Sequence, residues 1–314
     1  MTTAPAPSPS HPAGQSSTTP PRLTTLAVVG TGLIGTSIAL AARAAGTHVL
    51  LADRDEDALA AAIARGAGEQ VADGAPPVDL AVLAVPPHAV AATLRHAQDT
   101  GLARAYTDVA STKASVVTRT QAHGCRPQGF LPGHPVAGSE RSGPGAADAE
   151  LFRGAAWVLC PQAETGDFAL RVVRDLVELC GGRPVEMAAD AHDRAMALVS
   201  HGPHVVAAAL AAAIGAAPTD VLRLAGRGVR DTTRIAAGDP ALWTDIVEQN
   251  AEHVAVLLAD IAADLGSAAT ALSAVARGDR EALAVATDLL TRGTAGRRNL
   301  MAAGADPAGA AVPG

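Results

Sequence analysis

The stretch that most limits what this chain can fold into is VVGTGLIG, residues 28–35, because it joins two kinds of local structure through a turn that few side chains permit. Ahead of it, LTTLAVV is an apolar run of strand formers, and behind it residues 36–45 read as a helix. The glycines fall at 30, 32 and 35 in G-x-G-x-x-G spacing. Gly30 permits the turn, Gly32 lets backbone approach a pyrophosphate, and Gly35 lets helix pack on strand. Leu33 and Ile34, inside the motif, are expected cofactor contacts just ahead of the helix, whose first amides would donate to the phosphates. Glycine is common here, 31 in the chain, so the spacing alone could be a plain tight turn. Its place between strand and helix, and the acid Asp53 closing the next strand, turn it into an expected dinucleotide site.

The alternation continues. THVLLAD reads as a second strand, residues 56–64 as a second helix, and VDLAVLAVPP and AYTDVAS as further strands. After Glu186 the pattern changes to alanine-rich helices over 190–214, 218–224, 240–263 and 266–290. The expected fold class is therefore α/β: a doubly wound, Rossmann-like parallel sheet domain over 23–185, followed by an all-helical domain over 186–300. A length of 314 residues suits two domains. Residues 1–22 and 301–314, rich in Pro, Ser, Thr, Ala and Gly, read as disordered tails.

Composition closes several routes. Net charge is −7 and only 2% of residues are aromatic, so neither a basic footprint nor stacking rings are available for nucleic acid. Cys125, Cys160 and Cys180 form no CxxC pair, which argues against a disulfide framework or a thiolate metal site and suits a reducing cytoplasm. No metal is expected. The longest apolar run, residues 205–217, is shorter than a membrane span requires, so a soluble protein is expected.

A bound dinucleotide beside a helical domain suggests hydride transfer. Asp53 can accept both ribose hydroxyls of NAD and would repel a 2′-phosphate; Arg54 is the feature that could favour NADP, but between Asp53 and Asp55 it reads equally as a solvated charge, so NAD is preferred. Val85 and Pro86 end a strand where a cofactor would pass, or simply make a strand-ending turn. A proton acceptor must lie at the same edge. TDVASTKAS puts Ser111, Thr112 and Lys113 at a strand-to-helix turn, and LPGHPVAGSE puts His134 between Gly133 and Pro135. A neutral imidazole suits proton abstraction from an alcohol, although a lone histidine is usually structural. Lys113 is the only lysine, so a catalytic lysine in the helical domain is excluded; Lys113 itself is either a surface charge or an anion contact. His201 and His204, three apart, share a helix face that Pro203 should kink; two imidazoles aimed at a pocket fit better than a metal half-site with no third ligand. Arg230 and Arg234 share a face around Asp231, as a carboxylate clamp or as solvated helix charge.

Together, VVGTGLIGTS, DVASTKAS, HPVAGSERSG, DAHDRAMALVSHGPH and RDTTRIAAGDPALWTDIVEQN, in this order, resemble the prephenate and arogenate dehydrogenases of tyrosine biosynthesis over about residues 23–290. The resemblance implies NAD(P)-dependent oxidative decarboxylation of prephenate to 4-hydroxyphenylpyruvate. It further implies that His134 takes the C4 hydroxyl proton with Ser111 orienting it, and that Arg234 holds a substrate carboxylate. His201 and His204 would line the pocket near the side chain, Ser139 and Glu140 its edge, and Asp231 would position the arginine. Trp243 matches a family tryptophan that could be packing alone. A homodimer through the helical domain is also implied. Neither a fused mutase domain nor a regulatory domain is expected, and no acidic residue just beyond Glu140 favours the ammonium of arogenate, so the keto acid is preferred.

The rivals are arogenate or an amino-substituted prephenate as substrate, a β-hydroxy-acid dehydrogenase or imine reductase of similar architecture, and a non-catalytic NAD sensor. The missing second-domain lysine counts against the β-hydroxy-acid enzyme, and His134 with Ser111 against the sensor.

Overall fold

The structure is a computed structural model that describes residues 23–72, 74–137 and 141–305. The chain divides into two compact units. The first comprises the stretches up to Val85, Val90–Val109 and Thr120–Glu186; the second comprises Pro86–Ala89, Ala110–Arg119 and everything from Met187 onward. The boundary near residue 186 accompanies a change from strand to helix, whereas the two short excursions at 86–89 and 110–119 carry no compositional mark.

In the first unit the chain runs β1 (Thr25–Val29), α1 (Leu33–Ala44), β2 (His48–Ala52), α2 (Glu56–Ala64), β3 (Glu69–Gln70), β4 (Val78–Leu83), α3 (Val90–Asp99), β5 (Ala103–Asp108) and β6 (Phe130–Leu131); α4 (Ala114–Ala122), between β5 and β6, belongs to the second unit up to Arg119. These strands form one sheet in the order β3-β2-β1-β4-β5-β6, parallel throughout. Leu26, Ala27 and Val28 are all fully buried, as a central strand covered on both faces requires. The order reverses between β1 and β4, and in doubly wound sheets ligands bind at the carboxyl ends of the strands flanking such a switch.

A second, three-stranded sheet was not anticipated. In it β7 (Gly133–Pro135) runs antiparallel to β8 (Ala156–Leu159), which pairs parallel with β9 (Arg183–Glu186). Between β8 and β9, α5 (Asp167–Leu179) buries Ala169, Val172, Val173, Leu176 and Val177, the i, i+3, i+4, i+7 stripe of a half-buried helix. Phe152 and Trp157 join this stripe in the core.

The second unit contains α6 (Ala189–Met196), α7 (Gly202–Gly215), α8 (Thr219–Leu222), α9 (Arg227–Thr233), α10 (Pro240–Gln249), α11 (Ala251–Ala276) and α12 (Leu283–Ala305). One expectation takes a specific form here and two are corrected. The kink near Pro203 takes the form of a π turn over Ala197–His201, in which the Gly202 amide donates to the Ala197 carbonyl five residues back. Pro203 has no N–H for the carbonyl four residues earlier, so the ladder widens by one residue. The expected break before Gly266 does not occur: α11 continues through it, because one exposed glycine costs a helix only about 1 kcal/mol. The break falls instead at Asn250, whose φ of −121° and ψ of 28° are not helical. Finally, helix extends to Ala305, past the expected start of the C-terminal tail at 301; the expected N-terminal tail lies outside the described residues.

The helical runs 189–215 and 251–276 are long and apolar enough, by length and composition, to cross a bilayer, although no uninterrupted apolar run is. Their exposed apolar side chains include Leu198, Val199, Leu210, Val256, Leu265 and Leu272.

Candidate active site

In the first unit the glycine turn has a geometric explanation at each position. Gly30 sits at φ +100°, and a Cβ there would collide with the Ala84 carbonyl; one at Gly35 would collide with the Gly30 carbonyl. The turns after β1 and β4 therefore lie against each other at the switch, with the half-buried Val85 beside Gly30. Gly32 is different: it is exposed, and a Cβ there would meet nothing within 4 Å. As N-cap of α1 it offers no side-chain cap, and the first turn at Leu33 and Ile34 carries no acid. Bare amides at a helix start with open space before them fit a pyrophosphate.

Asp53 follows β2 at the same edge. Its carboxylate accepts from the Thr31 amide at 2.5 Å, the Thr31 hydroxyl at 2.8 Å and the Asp55 amide at 3.0 Å. Burial raises its pKa, but these bonds outweigh that and hold it below the ordinary value. An ionised carboxylate retains acceptor capacity for ribose hydroxyls. Arg54 is exposed. The residues present thus fit a dinucleotide.

His134 is the central residue of β7, half-buried and opposite Val158. Its strand is anchored beyond the carboxyl end of β5 by the Gly133 amide, which donates to Asp108 Oδ1 at 3.1 Å. A side chain at 133 would press on Thr107, Asp108 and the Trp157 indole nitrogen, so Gly133 is needed for this approach. The sheet edge that carries the glycine turn therefore also carries the strand that holds His134. Ser139 and Glu140 lie outside the described residues.

In the second unit the organising residue is one that sequence reasoning quoted but did not single out. Asp193 on α6 is buried, and its carboxylate accepts from the Lys113 amide at 2.7 Å and the Ala114 amide at 2.8 Å, capping α4 from a distant part of the chain. His192 Nδ1 reaches the same carboxylate at 2.7 Å. Burial opposes this charge, yet the donors from His192, Lys113 and Ala114 hold its pKa below the ordinary value. The Ser111–Lys113 turn is thereby fixed by its last residue, with Ser111 half-buried and Lys113 fully buried, not a surface charge.

His201 and His204 are both buried. His201 Nδ1 lies 3.0 Å from Asn250 Nδ2, and burial pushes its pKa down to about 4. His204 stacks on Trp243, and burial lowers its pKa too. Gly238 lies against this stack, where a Cβ would strike the Trp243 indole. Arg234 opens the 3-10 turn Arg234–Ala237 that leads to Gly238, which brings its segment to His204; its side chain is exposed. Asp231 is exposed one turn earlier, and among the described residues no ion pair joins it to Arg234. Pro86 is exposed, and two residues on His88 Nδ1 bonds Asp245 at 2.8 Å, tying 86–89 to α10. No local signal marked Asp193 or Asn250: each sits among other polar residues, in AHDRA and EQNAEH.

Comparison with known proteins follows the same division. The profile of the prephenate dehydrogenase nucleotide-binding domain matches residues 38–186, and that of the prephenate dehydrogenase dimerization domain matches residues 188–287. The chain is 40% identical to the probable prephenate dehydrogenase NovF of Streptomyces niveus over 81% of this chain and 70% of that protein. It is 35% identical to the cyclohexadienyl dehydrogenase of Zymomonas mobilis over 79% of this chain and 88% of that protein. Among solved structures, the prephenate dehydrogenase from A. aeolicus in complex with hydroxyphenyl propionate and NAD+ superposes with a TM-score of 0.76 at 25% identity, covering 88% of this chain and 98% of that one.

Proposed function

The chain belongs to the prephenate dehydrogenase family, and from that premise we propose that it catalyses the NAD-dependent oxidative decarboxylation of prephenate to 4-hydroxyphenylpyruvate. The observation that carries the reading is the shared sheet edge: an open glycine turn and an ionised Asp53 for the cofactor, and His134 beyond β5 on the same edge.

NAD, when bound, supplies the acceptor for the hydride that leaves C4. His134 takes the hydrogen bond and then the proton of the C4 hydroxyl as the hydride departs, and returns it to the phenol oxygen once the ring is aromatic. The electrons of the bond to the leaving carboxylate enter the ring as CO2 departs, so one hydride is lost and no net proton. Ser111, in a turn pinned by Asp193, orients the C4 hydroxyl. Arg234 holds a substrate carboxylate, and His201 and His204 contact the side chain. Asp231 acts, in this reading, as a nearby acid and not as a direct partner of Arg234. Ser139 and Glu140 are assigned to the pocket edge on motif alone.

A homodimer through the helical unit belongs to the same reading, since exposed Leu198, Val199, Val256, Leu265 and Leu272 are apolar area that a second subunit would cover. Three free cysteines suit a reducing cytoplasm. The test is NADH formation with prephenate and with arogenate, each with NAD and with NADP. Prephenate turnover with NAD that His134→Asn abolishes, while NAD still binds, supports the reading; normal turnover by that variant overturns the assignment of His134.

A further inference from the structure

The buried ring nitrogens His201 Nε2 and His204 Nδ1 have no hydrogen-bond partner among the described residues. Leaving a buried polar group unmade costs about 1–3 kcal/mol, so two on one helix face call for an acceptor or donor from outside the protein.

Which hydrogen His201 carries follows from its neighbours. Asn250 Nδ2 lies 2.8 Å from the backbone carbonyl of Asp193. A carbonyl can only accept, so the atom facing it is the amide NH2 group and not the amide oxygen. The same nitrogen lies 3.0 Å from His201 Nδ1 and has a second hydrogen to give. His201 Nδ1 is thus an acceptor, and the ring hydrogen resides on Nε2. Burial, which pushes the imidazole pKa down to about 4, keeps the ring from charging near neutral pH. The Asp193 carboxylate is itself committed to Lys113, Ala114 and His192.

We infer that Asn250, anchored on Asp193, locks His201 as a neutral Nε2–H donor for an oxygen of the substrate side chain, and that this donor selects a keto acid over the corresponding amino acid. The inference rests on the prephenate dehydrogenase reading for the identity of the substrate. Its physical content is polarity. A fixed donor pairs with a keto oxygen, whereas an ammonium in the same place would bring donor against donor and leave both unpaired.

The test has two arms on the full-length protein at neutral pH. In the first, nitrogen-15 NMR of histidine-labelled protein, with His201 assigned by its loss in His201→Gln, should show the ring hydrogen on Nε2; a hydrogen on Nδ1 overturns the inference. In the second, 4-hydroxyphenylpyruvate and tyrosine are titrated against the NAD-saturated protein. The keto acid should bind more tightly, and Asn250→Asp, which replaces the amide donor with an acceptor and moves the His201 hydrogen to Nδ1, should shift the ratio toward tyrosine by roughly tenfold or more. If Asn250→Asp fails to fold, His201→Gln, whose amide can donate or accept, should bring the two affinities together. An unchanged ratio overturns the inference. Absence of prephenate turnover, with the Nε2 hydrogen and the keto preference intact, would overturn the dehydrogenase reading and leave this one standing.

Discussion

The imidazole of His204 lies flat on the indole of Trp243, with ring centroids 3.5 Å apart and planes inclined by 12°. A stacked aromatic pair contributes about 0.5–1.5 kcal/mol beyond its buried area. In the proposed reading, Trp243 therefore supports a substrate-contact residue as well as packing. Trp243→Leu should destabilise the helical unit by about 2 kcal/mol in urea unfolding and raise KM for prephenate while NAD affinity holds. Trp243→Phe, which can still stack, should keep most of both. Unchanged KM in Trp243→Leu would remove His204 from the substrate contacts.

Gly30 and Gly32 should fail in different ways. Gly30→Ala places a Cβ on the Ala84 carbonyl at a positive φ, so the nucleotide unit should lose about 3 kcal/mol or more of stability. Gly32→Ala meets no protein atom, so the melting temperature should hold while NAD affinity falls by roughly tenfold, because the added methyl occupies the phosphate approach. Calorimetry of both variants checks the pair; a Gly32→Ala protein that binds NAD normally would remove the phosphate from that position.

Asp53 should set the cofactor preference. Asp53→Ser removes an ionised group that accepts from Thr31 and Asp55. The ratio of kcat/KM for NAD to that for NADP should fall by roughly tenfold or more, since a carboxylate no longer repels the 2′-phosphate. A constant ratio would place the ribose elsewhere.

Acid should weaken the helical unit in a defined window. His201 titrates near 6.5 when unfolded but is held down to about 4 when folded. Between these values the unfolded chain binds more protons, so stability falls as pH drops, by about 3 kcal/mol at the lower end. Asp193 acts in a lower window: its folded pKa is depressed, so its contribution is present above the unfolded carboxylate value and is lost as pH falls through the folded one. Urea midpoints at pH 7 and pH 5 should differ less in His201→Gln than in the unaltered protein; equal slopes would show that the ring is not buried neutral.

The division between what could be read from the sequence and what could not follows interaction range. VVGTGLIG and the strand–helix alternation were legible because they express a local backbone conformation and a period of two or 3.6 residues, and Asp53 because it closes the strand that follows the glycine turn. The doubly wound sheet followed from them, and the change to helices near 186 coincides with the division between the compact units. Helix ends were harder: Gly266 suggested a break that α11 does not make, because a single glycine is a weak stop against many good helix formers.

Chain order and residue type alone determined the glycine turn, the acid after β2, and the presence of a histidine set between a glycine and a proline. Only the tertiary structure decided that Asp193 caps α4, that Asn250 reads the Asp193 carbonyl and so sets the His201 ring, and that Gly238 makes room for the His204–Trp243 stack. Those pairings join residues tens of positions apart, and local sequence carries no trace of a hydrogen bond until the chain has folded far enough to bury both its ends.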